Sequence, residues 1–218
     1  MQVKLLNITP NAEEHIVEIA RVSSSRKDKK TNAAGLLKYL VRHKHWSPFE
    51  HSHATFEIET SKAIGIQLIR HRSFSFQEFS QRYQDVNRLD EMFENVELRA
   101  QCEDNRQSST EIINPKMYEG DIFFEGKASE VIKTHFRACH RLYNDLLKEG
   151  VAREQARMVL PLATTTKIHM TGSIRSWIHF LELRDDDHAQ KEIQTVAKEI
   201  KRIFISEFPI ISKGLKYE

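Results

Sequence analysis

The 218-residue chain has only seven glycines, and none falls into G-x-G-x-x-G or G-x-x-x-x-G-K-[ST]. A nucleotide or dinucleotide, if bound, is therefore not cradled by a Rossmann turn or a P-loop, and side-chain cations have to hold its phosphates. Two cysteines, Cys102 and Cys139, give no disulfide framework and no C-x-x-C pair. Cys139 falls on an apolar helical stripe and reads as a small core residue. No apolar run approaches the roughly 18 residues that span a bilayer, and MQVKLLNITPNAEE lacks signal-peptide architecture, which points to an intracellular protein with no membrane partner. Charge of one sign is lacking too: 33 basic and 31 acidic residues are mixed along the chain. That balance argues against a nucleic-acid binder, which concentrates its positive charge on one face, and makes any bound anion a small one.

Hydrophobic residues make up 39% and charged residues 29%, an ordinary globular balance. MQVKLLNIT reads as a strand and residues 11 to 21 as a helix with Ile16, Val17 and Ile19 on one face. Asn32 caps a helix through AAGLLKYLVRHKH. ATFEIET alternates as a half-buried strand, and Ser61 caps a helix SKAIGIQLIRHR in which Gln67, Arg70 and His71 share a face by i, i+3, i+4 spacing. Residues 84 to 127 form a polar excursion with at most one short helix. Beyond it, Ile132, Phe136, Cys139, Tyr143 and Leu146 mark an amphipathic helix ending before Gly150. VAREQARMVLP reads as a helix stopped by Pro161, TTTKIHMT as a strand, and Ser173 caps IRSWIHFLELR with Ile174, Trp177, Ile178 and Leu181 inward and Arg175, His179 and Glu182 on another face. A last helix runs from about His188 to Phe208, with Asp185 to Asp187 favouring its N-terminus by about 0.3 to 1 kcal/mol each. Strands and helices interleave without a βαβ rhythm, so the expected fold class is α+β, one domain over 1–218.

RHRSFSFQEFSQR gathers Arg70, His71 and Arg72 beside Phe74, Phe76 and Phe79. In isolation such a run is usually a solvated face. Apolar anchors interleaved with Ser75, Gln77, Glu78, Ser80 and Arg82 suit a pocket wall instead. AREQAR sets Arg153 and Arg157 at i, i+4, a repulsion of about 0.2 to 0.5 kcal/mol that an anion between them would reverse and that Glu154 and solvent otherwise screen. Four of the eleven histidines lie within residues 43 to 53. His43 with His45 and His51 with His53 could serve a metal-dependent hydrolase, with residues 185 to 188 adding ligands. On a helix, however, H-x-H splays its rings about 200° apart.

HKHWSPFEH, QLIRHRSFSFQEFSQRY, REQARMVLPL and SIRSWIHFLELRDDDHAQKEIQ together resemble the flavin-dependent thymidylate synthases, whose motif of RHR, seven residues, then Ser followed by Arg and Tyr is met by Arg70, His71, Arg72, Ser80, Arg82 and Tyr83. The resemblance implies a single mixed α/β domain of that family's own type, not a Rossmann domain, and a homotetramer with FAD at subunit interfaces. It implies a methyltransferase that converts dUMP to dTMP without a cysteine nucleophile. Methylenetetrahydrofolate would supply the carbon and FAD reduced by NADPH the hydride. By the same resemblance Ser47, Glu50, Arg70, His71, Arg72, Glu78, Ser173, Arg175, His179 and His188 would bind the cofactor. Gln67, Arg70, Glu78, Ser80, Gln81, Arg82, Arg157 and Arg184 would hold dUMP, with Arg184 the catalytic, activating arginine. His45 would form a folate and flavin wall, and the histidine cluster would hold no metal. Many relatives have Asn where Gln77, Ser173 and His179 stand. QEFSQRY and NRQSS resemble a subgroup with viral members, so the expected location is the cytoplasm, or the host cytoplasm for a viral protein. A catalytically dead relative that still binds flavin or nucleotide is a third reading, set against the presence of Ser80, Arg82, Arg157 and Arg184.

Overall fold

A computed structural model describes residues 1–23, 32–88, 96–105, 108–117 and 126–217. These divide into two compact units, each made of separated chain segments. One comprises Gln2–Ile58, Gln67–Gln77 and Ile168–Glu218; the other comprises Glu59–Ile66 and Glu78–Lys167, with Met1.

The first unit is built on most of a four-stranded sheet of order β1-β2-β8-β3, where β1 is Gln2–Ile8, β2 His53–Ser61, β3 Phe74–Glu78 and β8 Thr165–Ser173. On β2 and β8, Thr55 bonds Thr171 at 2.9 Å and His169 bonds Glu57 at 3.0 Å. Each step forward on one strand is a step back on the other, so the pair is antiparallel. The alternation read from ATFEIET holds, since Phe56, Ile58 and Thr60 are buried and the residues between them are not. Helices α1 (Ala12–Arg21), α2 (Ala33–Arg42), α6 (Ile174–Arg184), α7 (Lys191–Glu207) and α8 (Pro209–Leu215) pack in the same unit. Asn32 caps α2 by accepting from the N–H groups of Ala34 and Gly35, and Ser173 caps α6 by accepting from Ser176. Trp177 anchors α6 to the sheet, its ring 4.8 Å from Phe56 and 4.6 Å from Phe74 and its indole N–H on the Ala54 carbonyl.

The second unit holds α4 (Ala128–Lys148), α5 (Arg153–Ala156), a 3-10 turn Arg157–Val159, and the short strands β4 (Arg99–Gln101), β5 (Ser109–Ile112), β6 (Lys116–Met117) and β7 (Gly126–Lys127). Val86, Tyr143 and Ala156 are its core, with Phe79, Leu146 and Leu160 against them. Gly150 ends α4 at φ 83°, a conformation that favours glycine.

Four expectations are corrected. Helix α3 (Lys62–Leu68) stops before Arg70 and His71, whose N–H groups turn back to the carbonyls of Gln67 and Leu68, so Gln67, Arg70 and His71 share no helical face. The predicted last helix, α7, ends at Glu207, as expected, but begins at Lys191 rather than near His188, so the aspartates do not sit in its first turn. Instead Asp185 pairs with Lys201 at 2.8 Å, Asp186 accepts the His188 N–H, and Asp187 accepts from Gln194. The excursion at 84–127 contains two short antiparallel pairs and a 3-10 turn Val86–Arg88, too brief and exposed to leave a hydrophobic period; part of it, including two residues of NRQSS, lies outside the described residues. Cys139 is half-buried beside His135 rather than a core residue.

Candidate functional site

In the first unit, the start of α6 and the 3-10 turn Ser47–His51 bring three sequence-predicted residues together. Glu50 accepts from Ser173 Oγ at 2.6 Å and from Arg175 Nη1 at 2.6 Å. Burial works to raise the Glu50 carboxyl, but the bonds from Ser173 and Arg175, with the charges of Arg175 and His53, outweigh it and hold it below its ordinary value. Glu50 and Arg175 line a cavity of about 420 Å³ with Trp46, Ser73, Ser176, Ile178, His179 and Glu182. Its aromatic wall and few convergent polar groups suit an organic ligand. Ser47 and His45 line a separate cavity of about 570 Å³, and Trp46 stands in the wall of both.

The other end of α6 carries Arg184. Its Nε–H donates to His71 Nε2 at 2.9 Å. The His71 ring lies edge-on to Phe180 at 4.9 Å and Phe74 at 6.3 Å. Burial first, then the charges of Arg184 and His179, push its pKa down to about 4, so the imidazole is neutral with its proton on Nδ1. Asp185, next in the chain, is taken up by Lys201. Among the described residues Arg184 therefore has no carboxylate partner, and its positive charge is uncompensated. Arg70 and Arg72 are exposed and likewise form no ion pair among the described residues. Three guanidiniums without acids among the described residues suit a phosphorylated, electron-rich ligand such as FAD or a nucleotide. Gln67 donates to Gln190, which donates in turn to Glu192. His188 is exposed and lines neither cavity.

In the second unit, Glu78 pairs with Lys62 Nζ at 2.7 Å and accepts from Thr166 Oγ1 at 2.8 Å. The Ser80 carbonyl accepts from Tyr83 and Gln84, which folds Ser80, Gln81 and Arg82 into one turn. Glu154 gathers two predicted arginines: its carboxylate accepts from Arg82 at 3.2 Å and its carbonyl from Arg157 Nε at 3.4 Å. The site residues thus fall into two groups, with Glu78, Ser80, Gln81, Arg82 and Arg157 in this unit and the rest in the other.

Sequence reasoning missed Lys62, Thr166, Gln190 and Lys201. One signal was available, since Thr55, Glu57 and Glu59 face Thr171, His169 and Lys167 across antiparallel strands, a complementary series visible once the strands are aligned. The paired histidines form no metal cluster: among the described residues no group of three or more His, Cys, Asp or Glu side chains is placed to hold an ion. Instead the Tyr39 ring packs against His43 at 4.3 Å and His45 at 5.7 Å.

Residues 4–210 match the family described as thymidylate synthase complementing protein. The chain belongs to this family. It is 41% identical over 225 residues to a protein of Paramecium bursaria Chlorella virus 1 named "Probable flavin-dependent thymidylate synthase", covering all of both chains. It is 39% identical to the flavin-dependent thymidylate synthase of Synechocystis sp., over 93% of this chain and 88% of that one. The flavin-dependent thymidylate synthase of Thermosipho melanesiensis is 37% identical over 88% of this chain and 81% of its own. Mixed helices and antiparallel strands agree with the expected α+β class.

Proposed function

We infer that the chain is a flavin-dependent thymidylate synthase, which methylates dUMP to dTMP with methylenetetrahydrofolate as carbon donor and NADPH as reductant. Bound FAD supplies the hydride that completes the methyl group. The observation that carries the site assignment is Arg184, a half-buried guanidinium with a neutral partner and, among the described residues, no acid.

The ring carbon of a pyrimidine becomes nucleophilic toward a one-carbon donor when the ring takes on enolate-like character, with negative charge on a carbonyl oxygen. Arg184 stabilises that charge without first giving up a carboxylate, and losing one such fixed donor costs about 2.7 to 4 kcal/mol of barrier. Arg70 and Arg72 bind the phosphates of FAD, with Glu50, Ser173, Arg175 and His179 shaping the cavity beside them and Ser47, His71, Glu78 and His188 completing the cofactor set. Arg82 and Arg157 hold the dUMP phosphate, which displaces Glu154 from Arg82. Gln67, Glu78, Ser80 and Gln81 fix the nucleoside, and His45 walls the folate. Neither cysteine is needed as nucleophile. The working form is a cytoplasmic homotetramer with FAD at its subunit interfaces, built from one domain spanning the chain.

Purified protein is expected to be yellow, with the absorption spectrum of FAD, and to form dTMP only when dUMP, methylenetetrahydrofolate and NADPH are all present. Arg184→Ala should cut turnover by about 100- to 1,000-fold while flavin stays bound. A colourless protein that takes up no added FAD would overturn the reading.

A further inference from the structure

Arg184 has five N–H donors, and only the Nε–H is committed among the described residues. Its acceptor is an imidazole, which differs from the usual carboxylate in adding no negative charge. An acid in that place would fix the guanidinium equally well and neutralise much of the charge that the reaction needs. The acceptor is itself held: the His71 ring sits against Phe180 on α6 and against Phe74 on β3, and Phe74 is in turn wedged on Trp177 at 4.6 Å. Guanidinium, imidazole and aromatic rings therefore form one chain of contacts, a hydrogen bond followed by edge-on ring packing.

We propose that His71 is a positioning residue for Arg184: its Nε2 lone pair fixes the plane of the guanidinium through Nε and leaves the four Nη–H donors for the substrate. This rests on the reading of Arg184 as the catalytic arginine, and it gives His71 a task beyond touching cofactor. The task requires a neutral ring, since a protonated imidazole has no lone pair to accept with and would repel Arg184. Among the described residues, the charged or titratable groups that act on the ring are Arg184 and His179, both on α6. Both oppose protonation when charged, so the acceptor persists through the neutral range.

The test uses the full-length, FAD-loaded chain with ¹⁵N-labelled histidine, the His71 signal being assigned by its absence in His71→Gln. In the wild type, His71 should carry its proton on Nδ1 and stay neutral below pH 5. In Arg184→Ala its midpoint should rise toward the ordinary 6.5, because a cation and a bound donor have both been removed. In turnover, His71→Ala should lower kcat by about 100-fold with the KM for dUMP little changed, the scale expected for a misplaced catalytic group. His71→Gln, whose amide oxygen still accepts, should recover most of that loss. The His71→Ala, Arg184→Ala double variant should be no slower than Arg184→Ala alone. Multiplying losses in the double variant, or a His71 midpoint unmoved by Arg184→Ala, would overturn the proposal. Wild-type turnover in Arg184→Ala would instead overturn the reading of Arg184 itself, and the titration tells the two failures apart. Should His71→Ala fail to fold, the Gln variant and the Arg184→Ala titration still decide the matter.

Discussion

Gly172 in β8 lies under the Phe74 ring, and a methyl group there has no room. A Cβ built on its backbone falls 2.4 Å from Phe74 Cδ1 and 2.5 Å from Cε1, whereas ordinary contact begins near 3.4 Å. In Gly172→Ala the ring must therefore retreat by about 1 Å, against Trp177 at 4.6 Å and Phe180 at 6.2 Å. Overpacking of this kind costs about 1 to 3 kcal/mol. For a chain of this length that lowers Tm by roughly 2 to 12 °C. Thermal melts at fixed FAD concentration give the number, with ligand held constant because binding alone shifts Tm. Combining Gly172→Ala with Phe74→Leu should cost less than the two single changes added together, since the smaller side chain vacates the space that the methyl needs. An unchanged Tm in Gly172→Ala, or strict additivity in the pair, would refute the claim that Phe74 is pinned between the glycine and the α6 aromatics.

Replacing both Cys102 and Cys139 with alanine should leave dTMP formation within a few-fold of wild type, and loss of turnover in a folded variant would count against a mechanism without a cysteine nucleophile. Glu13 accepts the backbone N–H groups of Ile210 and Ile211, each at 2.8 Å, at the start of α8. Glu13→Ala orphans both and should cost about 1 to 3 kcal/mol in urea unfolding, while Glu13→Gln, which keeps an acceptor, should cost less. Because the folded-state pKa of His71 is lowered to about 4, its contribution to stability is complete above about pH 6.5 and is lost as pH falls toward 4. The decline in unfolding free energy between those values should be shallower in His71→Gln, and an identical slope would remove His71 as its source.

Much of the fold was legible because the relevant physics is local. The alternation of Phe56, Ile58 and Thr60, the caps at Asn32 and Ser173, the glycine stop at Gly150 and the α6 stripe of Ile174, Trp177, Ile178 and Leu181 each depend on a few neighbouring residues. The end of α3 was not legible in the same way. Nothing in LIRHRS forbids another helical turn; the helix nevertheless ends at Leu68 and the chain enters β3, where Phe74 packs beside Gly172, almost a hundred residues away. The triple aspartate misled for a similar reason. Carboxylates do favour helix starts, but Lys201 on α7 had a stronger claim on Asp185.

The sequence by itself determined the residue types: arginines in place of glycine-rich phosphate loops, two cysteines outside any motif, and the RHR block that marks the family. Only the tertiary structure decided what those arginines are next to. It gave Arg184 a neutral imidazole instead of Asp185, joined Arg82 and Arg157 through Glu154, and closed Ser173 and Arg175 onto Glu50. Charge compensation depends on distances between side chains far apart in the chain, and residue spacing carries no record of them.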